Sequence, residues 1–237
     1  MKKIILMTLA FVAFVFTSCE KESLGVSRVT TYATMELNGP EELFWPLNST
    51  FVDPGCKAFE GTTDISGNIE VISNVNATKG GKYSITYKVK NSDGFYAQTS
   101  RTVYVYEQNA PLNGYYQSRI RRNNNGTIAN RGPFTILVFG VGNDQYWIED
   151  LLGGWYNYGS GYGPAYAGPG IIKLNSSDNT FEIVSAEPLA WGYPCILTEN
   201  TVSTYDPSTK TIVLNTRMED TPKMLFTVTL TNPQPLN

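Results

Sequence analysis

The chain has 237 residues, with 18 lysines and arginines, 21 aspartates and glutamates, and no histidine. The missing histidine excludes Ser-His-Asp and Cys-His nucleophile systems and histidine-ligated zinc or haem, while carboxylates, lysine and tyrosine remain available as catalytic groups. The net charge of −3 gives no electrostatic footprint for nucleic acid, so we expect no nucleic-acid partner. With 21 Gly, 15 Tyr and only 16% charged residues, the composition is typical of a β-rich protein of one or two domains.

The N-terminus has the pattern of a bacterial secretion signal. Two lysines precede an apolar run over 4–16, which is too short to span a bilayer as a mature helix. The sequence Thr-Ser then precedes Cys19, and a small residue directly before a cysteine resembles the lipobox of bacterial lipoproteins. In that family the cysteine becomes the lipidated N-terminal residue. The resemblance therefore implies a lipoprotein signal peptide over 1–19 with Cys19 as the lipidation site; signal cleavage without lipidation is the alternative.

A polar stretch over 20–30 follows and lacks a strong period, which predicts a tether to the first domain. It starts with Glu-Lys-Glu-Ser, and charged residues just after the lipidated cysteine resemble the surface-export signal of lipoproteins in gut Gram-negative bacteria. The resemblance implies a lipid anchor in the outer membrane, with the protein exposed at the cell surface. Exposure on the periplasmic face is the alternative.

A β-hairpin is predicted further along. Residues 82–90 (KYSITYKVK) alternate apolar and polar side chains, an Asp-Gly turn follows at 93–94, and 99–106 (TSRTVYVY) form the returning strand. Two period-2 strands around such a turn are the strongest short-range signal for a hairpin.

The residues around this hairpin resemble a bacterial immunoglobulin-like domain. The motifs are TFVDPG at 50–55, GGKYSITY at 80–87, the Asp-Gly turn, and R-x-V-x-V from Arg101. The resemblance covers 31–107 and implies a β-sandwich of the seven-stranded type. Such domains act mostly as spacers or adhesion modules, and the fold by itself does not define a function.

A linker is predicted over 108–114 (QNAPLNG), and a second domain over 115–237. Turn signals separate its candidate strands, which are 115–121, 134–139, 145–149, 171–174, 180–184, 201–205, 211–215 and 225–231. No segment shows a sustained 3.6-residue apolar period, so we expect no long helix. About eight short antiparallel strands predict a β-barrel or a second sandwich, and the whole chain is therefore predicted to be all-β.

The unusual segment is 153–170 (GGWYNYGSGYGPAYAGPG), which is uncharged and holds seven Gly, two Pro, one Trp and four Tyr. Glycine and proline oppose a helix, while tryptophan and tyrosine present flat amphipathic faces. Such a face can stack on the apolar side of a pyranose ring. We therefore predict a glycan as the partner, bound by residues in and near this segment: Trp147, Trp155, Tyr156, Asn157, Tyr158, Tyr162, Trp191 and Tyr193.

Other interpretations of the segment stay open. It could cover the barrel mouth with its aromatic side chains packed inward, or it could contact a partner protein. The protein would then be a structural or interaction lipoprotein accessory to an outer-membrane uptake complex, with no small-molecule ligand. A divergent glycoside hydrolase is a third interpretation. Glu149 and Asp150 are adjacent, and neighbours on a strand point to opposite faces, so these two cannot form the catalytic pair. Glu182 or Glu187 could supply a distant second carboxylate, but nothing in the sequence requires it.

The second domain also resembles the C-terminal module of a family of surface lipoproteins from gut bacteria. The motifs are GYY at 114–116, YWIED at 146–150, the glycine-rich loop at 153–163, and YDPST at 205–209. Members of that family are often encoded near glycan-uptake systems, which implies outer-membrane transporter proteins as partners. The family has no established catalytic residues, so no catalytic residue is carried over and we expect no enzyme.

No cofactor or metal site is predicted. Asp53, Asp64 and Asp93 are spread out with no D-x-D-x-D run, which favours turn capping over a Ca²⁺ site. Cys56 and Cys195 fall in different predicted domains, which favours two free thiols over a disulfide.

A local basic patch lies beside the Asn-rich turn at 123–126. It consists of Arg119, Arg121, Arg122 and Arg131. On a strand, Arg119 and Arg121 share one face and Arg122 takes the other. A solvated hairpin end is the simple interpretation, and contact with an anion or an acidic sugar is the alternative.

Overall fold

The computed structural model describes residues 29–236. The predicted signal peptide, the lipidation site Cys19 and nearly all of the tether lie outside the described residues. Within 29–236, no helix combines the length and the apolar character needed to cross a membrane.

The N-terminal part of the chain is a sandwich of two sheets. Its strands are β1 (Ala33–Leu37), β2 (Glu42–Pro46), β3 (Cys56–Glu60), β4 (Thr63–Asp64), β5 (Glu70–Ser73), β6 (Gly81–Lys90) and β7 (Tyr96–Tyr106), with a 3₁₀ turn at Ser66–Asn68. One sheet has the order β1-β3-β4 and the other β2-β7-β6-β5, in which β2 runs parallel to β7. The predicted hairpin is confirmed, because β6 and β7 pair antiparallel along their lengths.

The motif residues of this domain share one polar network. The Arg101 side chain is buried, and its Nε and Nη2 donate hydrogen bonds to the carbonyl oxygens of Pro40 (2.9 Å) and Asn38 (2.8 Å). Its Nη1 lies 3.3 Å from Asp53 Oδ1, which also accepts the Tyr87 hydroxyl at 2.5 Å. A buried charge needs such pairing to be tolerated, so the arginine and the aspartate have to occur together.

The C-terminal part is an eight-stranded antiparallel barrel. Its strands are β8 (Gly114–Asn124), β9 (Thr127–Gly142), β10 (Gln145–Ile148), β11 (Gly170–Asn175), β12 (Thr180–Ala186), β13 (Cys195–Leu197), β14 (Thr204–Asp206), β15 (Thr211–Met218) and β16 (Met224–Gln234), with a 3₁₀ turn at Pro164–Tyr166. Eight of these nine strands close the barrel in the order β8-β9-β10-β11-β12-β14-β15-β16, and β16 pairs back to β8. The ninth strand, β13, pairs with β15 beyond β14, along the edge opposite β16. The all-β prediction and the barrel alternative are confirmed.

Two details of the barrel differ from the sequence prediction. Strand β9 begins at Thr127 rather than near Phe134, because the Asn-rich turn closes a long β8–β9 hairpin. Strand β13 was not predicted, because only Cys195–Leu197 pair with β15 and three residues give no visible period.

An aromatic cluster joins the sandwich to the barrel. Trp147 stacks on Phe139 with ring centroids 5.1 Å apart, and the ring of Tyr104 from β7 meets Phe139 at 5.5 Å. At the same junction, a Cβ on Gly80 would lie 2.5 Å from the Cα of Val141, so the two backbones approach too closely for any side chain there. The two parts therefore share a packed apolar contact.

The segment predicted as a linker is held against the barrel. The Glu107 N–H donates to the Gly140 carbonyl at 2.8 Å, and the Gly140 N–H donates to Asn113 Oδ1 at 2.8 Å. Leu112 is fully buried in the barrel core. These contacts fix the backbone between β7 and β8.

Candidate functional site

Asp150 organises the loop that connects β10 to β11, residues 150–168, called here the aromatic loop. Its carboxylate is fully buried and accepts hydrogen bonds from the backbone N–H groups of Leu152 (2.8 Å), Gly154 (3.0 Å) and Gly168 (3.2 Å). One side chain thus ties the start of the loop to its end. Burial raises the pKa of Asp150 to about 7, although the three N–H donors act in the opposite direction.

Trp155 fills the end of the barrel. Its side chain is 1% exposed and lies between two guanidinium groups, with Arg122 Cζ at 4.7 Å and Arg131 Cζ at 4.3 Å from the ring. The ring of Phe226 meets it edge-on at 5.7 Å, and Arg131 Nη1 donates to the Trp155 carbonyl at 2.7 Å. The ring and the two arginines form one packed unit, which agrees with the preference of guanidinium groups for aromatic faces.

The two glycines before Trp155 are required by this packing. Gly153 has φ +67°, and a Cβ there would lie 2.6 Å from Ser118 Oγ. Gly154 has φ +92°, and a Cβ there would lie 2.7 Å from the Tyr158 ring. Left-handed backbone and close approach both favour glycine, and the Ser118 hydroxyl closes the contact by donating to the Gly153 carbonyl at 2.8 Å.

The outer part of the loop presents a group of aromatic rings, called here the aromatic platform: Tyr162, Tyr166 and Trp191. Tyr162 is 55% exposed and Trp191 is 42% exposed. Ring centroids lie 5.2 Å apart for Tyr162 and Tyr166, and 4.8 Å apart for Tyr166 and Trp191. Tyr156 lies beneath them, 9% exposed, with its ring 4.8 Å from Trp191. The result is a continuous, uncharged aromatic surface open to solvent.

Four of the predicted ligand-binding residues are interior residues. Trp155 and Tyr156 belong to the barrel core, Trp147 belongs to the cluster between sandwich and barrel, and Asn157 is 7% exposed. Their side chains contact protein and cannot offer a face to a sugar. This corrects the predicted set, because the glycines that follow Asp150 turn the first part of the loop into the barrel end.

The other predicted residues differ in their surroundings. Tyr158 is exposed on one side, but its ring lies against Phe134 at 5.9 Å and its hydroxyl donates to Glu149 Oε1 at 2.5 Å. Partial burial and this hydrogen bond raise the pKa of Tyr158. Tyr193 is exposed and has no ring contact with the platform among the described residues. Tyr156, Tyr162 and Trp191 are the predicted residues that the fold brings together.

Sequence reasoning missed Tyr166. It lies within the glycine-rich segment, but nothing in its spacing separates it from the other tyrosines. The 3₁₀ turn at Pro164–Tyr166 brings its ring against Trp191, which comes from a loop 25 positions later. The Pro-Ala-Tyr sequence was the available signal, since a proline at the first position favours such a turn.

The acidic residues near the loop have structural partners. Glu149 accepts the Tyr158 hydroxyl and, through Oε2, the Leu137 N–H at 3.0 Å, while Asp150 is enclosed by backbone N–H groups. Glu182 forms an exposed ion pair with Lys173 on the barrel surface. In the described part of the chain, no group of three or more His, Cys, Asp or Glu side chains is placed to hold a metal ion.

The two described cysteines are free. Cys195 is buried, and burial raises the pKa of its thiol well above the usual value. Cys56 is partly exposed, and partial burial also raises its thiol pKa. Both side chains serve as small apolar groups in the two cores.

The architecture defines the class of protein first: an all-β protein that joins an Ig-like sandwich to a closed β-barrel. A family model for the Ig-like domain of bacterial surface proteins matches residues 35–105, and a family model for a C-terminal domain matches residues 106–232. The second model covers more than half of the chain, so the chain belongs to the family of BT2262-like proteins. The two resemblances seen in the sequence are confirmed at this level.

A solved structure agrees with this assignment. The crystal structure of the lipoprotein BT2262 from Bacteroides thetaiotaomicron matches with 27% sequence identity and a TM-score of 0.65, covering 85% of this chain and 100% of that chain. The CBM51-2 and INT domains of Clostridium perfringens ZmpB, solved with GlcNAc, match with 12% identity and a TM-score of 0.28, covering 85% of this chain and 44% of that chain. A TM-score that low supports no argument about this chain. No curated protein matches the sequence.

Proposed function

We propose that the protein is a lipid-anchored protein of the bacterial cell envelope that binds extracellular glycan on the aromatic platform. Its relative BT2262 is a lipoprotein, and the matching Ig-like family comes from bacterial surface proteins. Both observations support the anchor at Cys19 and an outer-membrane location facing outward. The platform would then be carried away from the membrane by the Ig-like domain.

The domain bounds of this proposal follow the sequence. Residues 1–19 are the signal peptide and 20–30 the tether. The Ig-like domain occupies 31–107, the connection 108–114, and the glycan-binding domain 115–237. No metal or cofactor takes part.

The contact of the exposed Tyr162 and Trp191 rings with each other and with the half-buried Tyr166 is the observation that carries the proposal. Large aromatic side chains normally bury most of their surface, and the first part of the same loop does so. The platform instead holds three rings in mutual contact, of which Tyr162 and Trp191 are exposed and Tyr166 is half-buried between them and the barrel core. Flat apolar faces bordered by tyrosine hydroxyls match a sugar ring, which has an apolar C–H face and a polar edge.

A protein partner is the competing function for the same rings. Tyrosine and tryptophan are enriched in protein interfaces, and a transporter component of an outer-membrane uptake complex would fit such a surface. The two functions can be told apart by binding of free oligosaccharides, which is expected if the platform is a glycan site and not if it is a protein interface.

Calorimetric titration with a panel of neutral host and plant oligosaccharides tests the proposal. We expect at least one oligosaccharide to bind, and binding to weaken about tenfold or more in Tyr162→Ala and in Trp191→Ala, because a central aromatic contact is lost. Tyr96→Ala is the matched control, since Tyr96 is an exposed aromatic residue of the Ig-like domain. No binding across the panel, or equal weakening in the control, would contradict glycan binding at the platform.

A further inference from the structure

A groove on the outer wall of the barrel lies across β8, β9 and β16. It is a cleft of about 450 Å³, called here the basic groove, and the side chains that define it are Arg119, Arg121, Asn130, Arg131, Thr227 and Thr229. The groove and the platform share no lining residue. Arg119, Arg121 and Arg131 belong to the basic patch predicted from the sequence, whereas its fourth member, Arg122, packs on Trp155 and does not line the groove. The Arg131 guanidinium also packs on Trp155, so Arg119 and Arg121 are the two arginines free to face the groove.

Strand geometry explains why the arginines meet. Arg119 and Arg121 are two positions apart on β8, so both point to the outer face, and both are exposed. On β16, Thr229 lies opposite Arg119 and Thr227 lies opposite Arg121. Asn130 lies opposite Arg121 on β9. Each guanidinium therefore stands beside neutral hydroxyl or amide groups rather than beside a carboxylate.

The charge in the groove is uncompensated. Among the described residues, neither the Arg119 nor the Arg121 side chain takes part in a salt bridge or a hydrogen bond, and no acidic residue lines the groove. Arg101 and Arg217, by contrast, pair with Asp53 and Glu199. In a chain with a net charge of −3, a cleft lined by arginines without acidic partners is a local exception.

The groove continues along the wall. A second cleft of about 270 Å³ shares Arg121 and Thr227 with it and adds uncharged polar side chains, namely Asn123, Thr198, Thr201 and Asn215. The two clefts are therefore neighbours on the barrel wall, on either side of Arg121 and Thr227. The chemistry along the wall changes from guanidinium groups at the first cleft to hydroxyl and amide groups at the second.

We propose that this groove binds an acidic glycan, a saccharide chain that carries sulfate or carboxylate groups. Guanidinium groups bind these oxyanions through paired, charge-assisted hydrogen bonds, and threonine and asparagine side chains can bond the sugar hydroxyls. A single-stranded nucleic acid would require exposed rings for base stacking, and no exposed aromatic residue lines the basic groove. The inference extends the proposed glycan binding to a second, charge-dependent site.

Titration of the mature chain with heparin oligosaccharides and with oligogalacturonate tests the inference. Heparin carries sulfate groups, whereas oligogalacturonate carries only carboxylate groups. Comparing the two affinities therefore shows whether the groove requires sulfate. We expect at least one probe to bind, with an affinity that falls as salt is added, because exposed charges are screened over about 8–10 Å at 0.1–0.15 M salt. The double variant Arg119→Gln/Arg121→Gln should weaken binding about tenfold or more.

The control is Lys173→Gln/Lys210→Gln, which removes the same charge from the barrel at positions outside the groove. This control and Trp191→Ala should keep the affinity for the acidic probe. Equal weakening in the lysine variant would show a net-charge effect and overturn the inference, as would absence of binding to both probes at low salt. Weakening only in Trp191→Ala would assign the acidic glycan to the platform, also against the groove.

Discussion

The aromatic loop contains two regions of similar composition and opposite surroundings. Residues 151–157 are buried and close the barrel end, whereas Tyr158 and Tyr162 further along are exposed. Both regions are uncharged and contain glycine and tyrosine. The difference comes from attachment: Asp150 and Ser118 hold the first region to the barrel, while the second has fewer such bonds. Composition therefore shows that a loop is aromatic, and tertiary hydrogen bonds decide which rings reach solvent.

The largest loss of stability is expected from Trp155→Ala. Removing a fully buried indole leaves a cavity between Arg122, Arg131 and Phe226, and such deletions cost about 3–5 kcal/mol of unfolding free energy. Two guanidinium groups also lose their aromatic partner. Urea denaturation followed by circular dichroism measures the change. A loss below about 1 kcal/mol would show that the first region of the loop does not close the barrel.

A pair of glycine substitutions sharpens the comparison. Gly153 and Gly161 have nearly equal φ angles of +67° and +69°, but a Cβ at Gly153 meets Ser118 Oγ at 2.6 Å, while a Cβ at Gly161 meets nothing within 4 Å. Gly161→Ala should cost about 1–2 kcal/mol for left-handed backbone alone, and Gly153→Ala about 1–3 kcal/mol more for the steric conflict. Thermal unfolding of both variants gives the difference, and equal losses would contradict the close packing of the first region.

Asp150, which holds the first region of the aromatic loop, makes the stability of the protein depend on pH. Burial raises the pKa of Asp150 from 3.8 to about 7 in the folded state. Between pH 4 and pH 7, the folded protein therefore keeps a proton on this carboxyl group that the unfolded chain has released. Stability from this group is therefore fully present below about pH 4 and decreases as the pH rises toward 7. Denaturation series at pH 4 to 7 should show this decrease, and Asp150→Asn should remove it. Identical pH profiles for the two proteins would refute the assignment.

The smallest stability effect is expected on the platform. Trp191→Ala and Tyr162→Ala remove side chains that are already half exposed, so each should cost less than about 1 kcal/mol. The same substitutions should abolish most glycan affinity. Melting temperature and calorimetric binding, measured on the same preparations, separate the two quantities. A large drop in melting temperature would show that Tyr162 and Trp191 stabilise the fold, as the buried first region of the loop does.

Much of the fold could be predicted because its signals are local. The period-2 alternation of residues 82–90 and the Asp-Gly turn define a hairpin wherever they occur. The Ig-like motifs also predict the fold, because their residues depend on one another. Asp53 pairs with the buried Arg101 and accepts the Tyr87 hydroxyl, so the three residues occur together. Seven of the eight candidate strands in the second domain likewise began within about three residues of their observed start, apart from the one extended by the Asn-rich turn.

The site could be predicted only in outline. The segment that carries it was visible from composition, but the burial of Trp155 depends on three backbone donors to Asp150 and on a gap beside Ser118. Tyr166 reaches the platform through contact with Trp191 from another loop. Both are long-range effects with no local period. The sequence therefore indicates the Pro-Ala-Tyr turn that carries Tyr166, but neither the contact of Tyr166 with Trp191 nor the burial of Trp155.

The packed junction between sandwich and barrel has a consequence for how the molecule searches its surroundings. Phe139, Trp147 and Tyr104 leave little freedom between the two parts, so they should tumble as one body. The aromatic platform, which the barrel carries, would then keep a fixed orientation relative to the sandwich. Any motion that brings the platform to a ligand would therefore be a motion of both parts together.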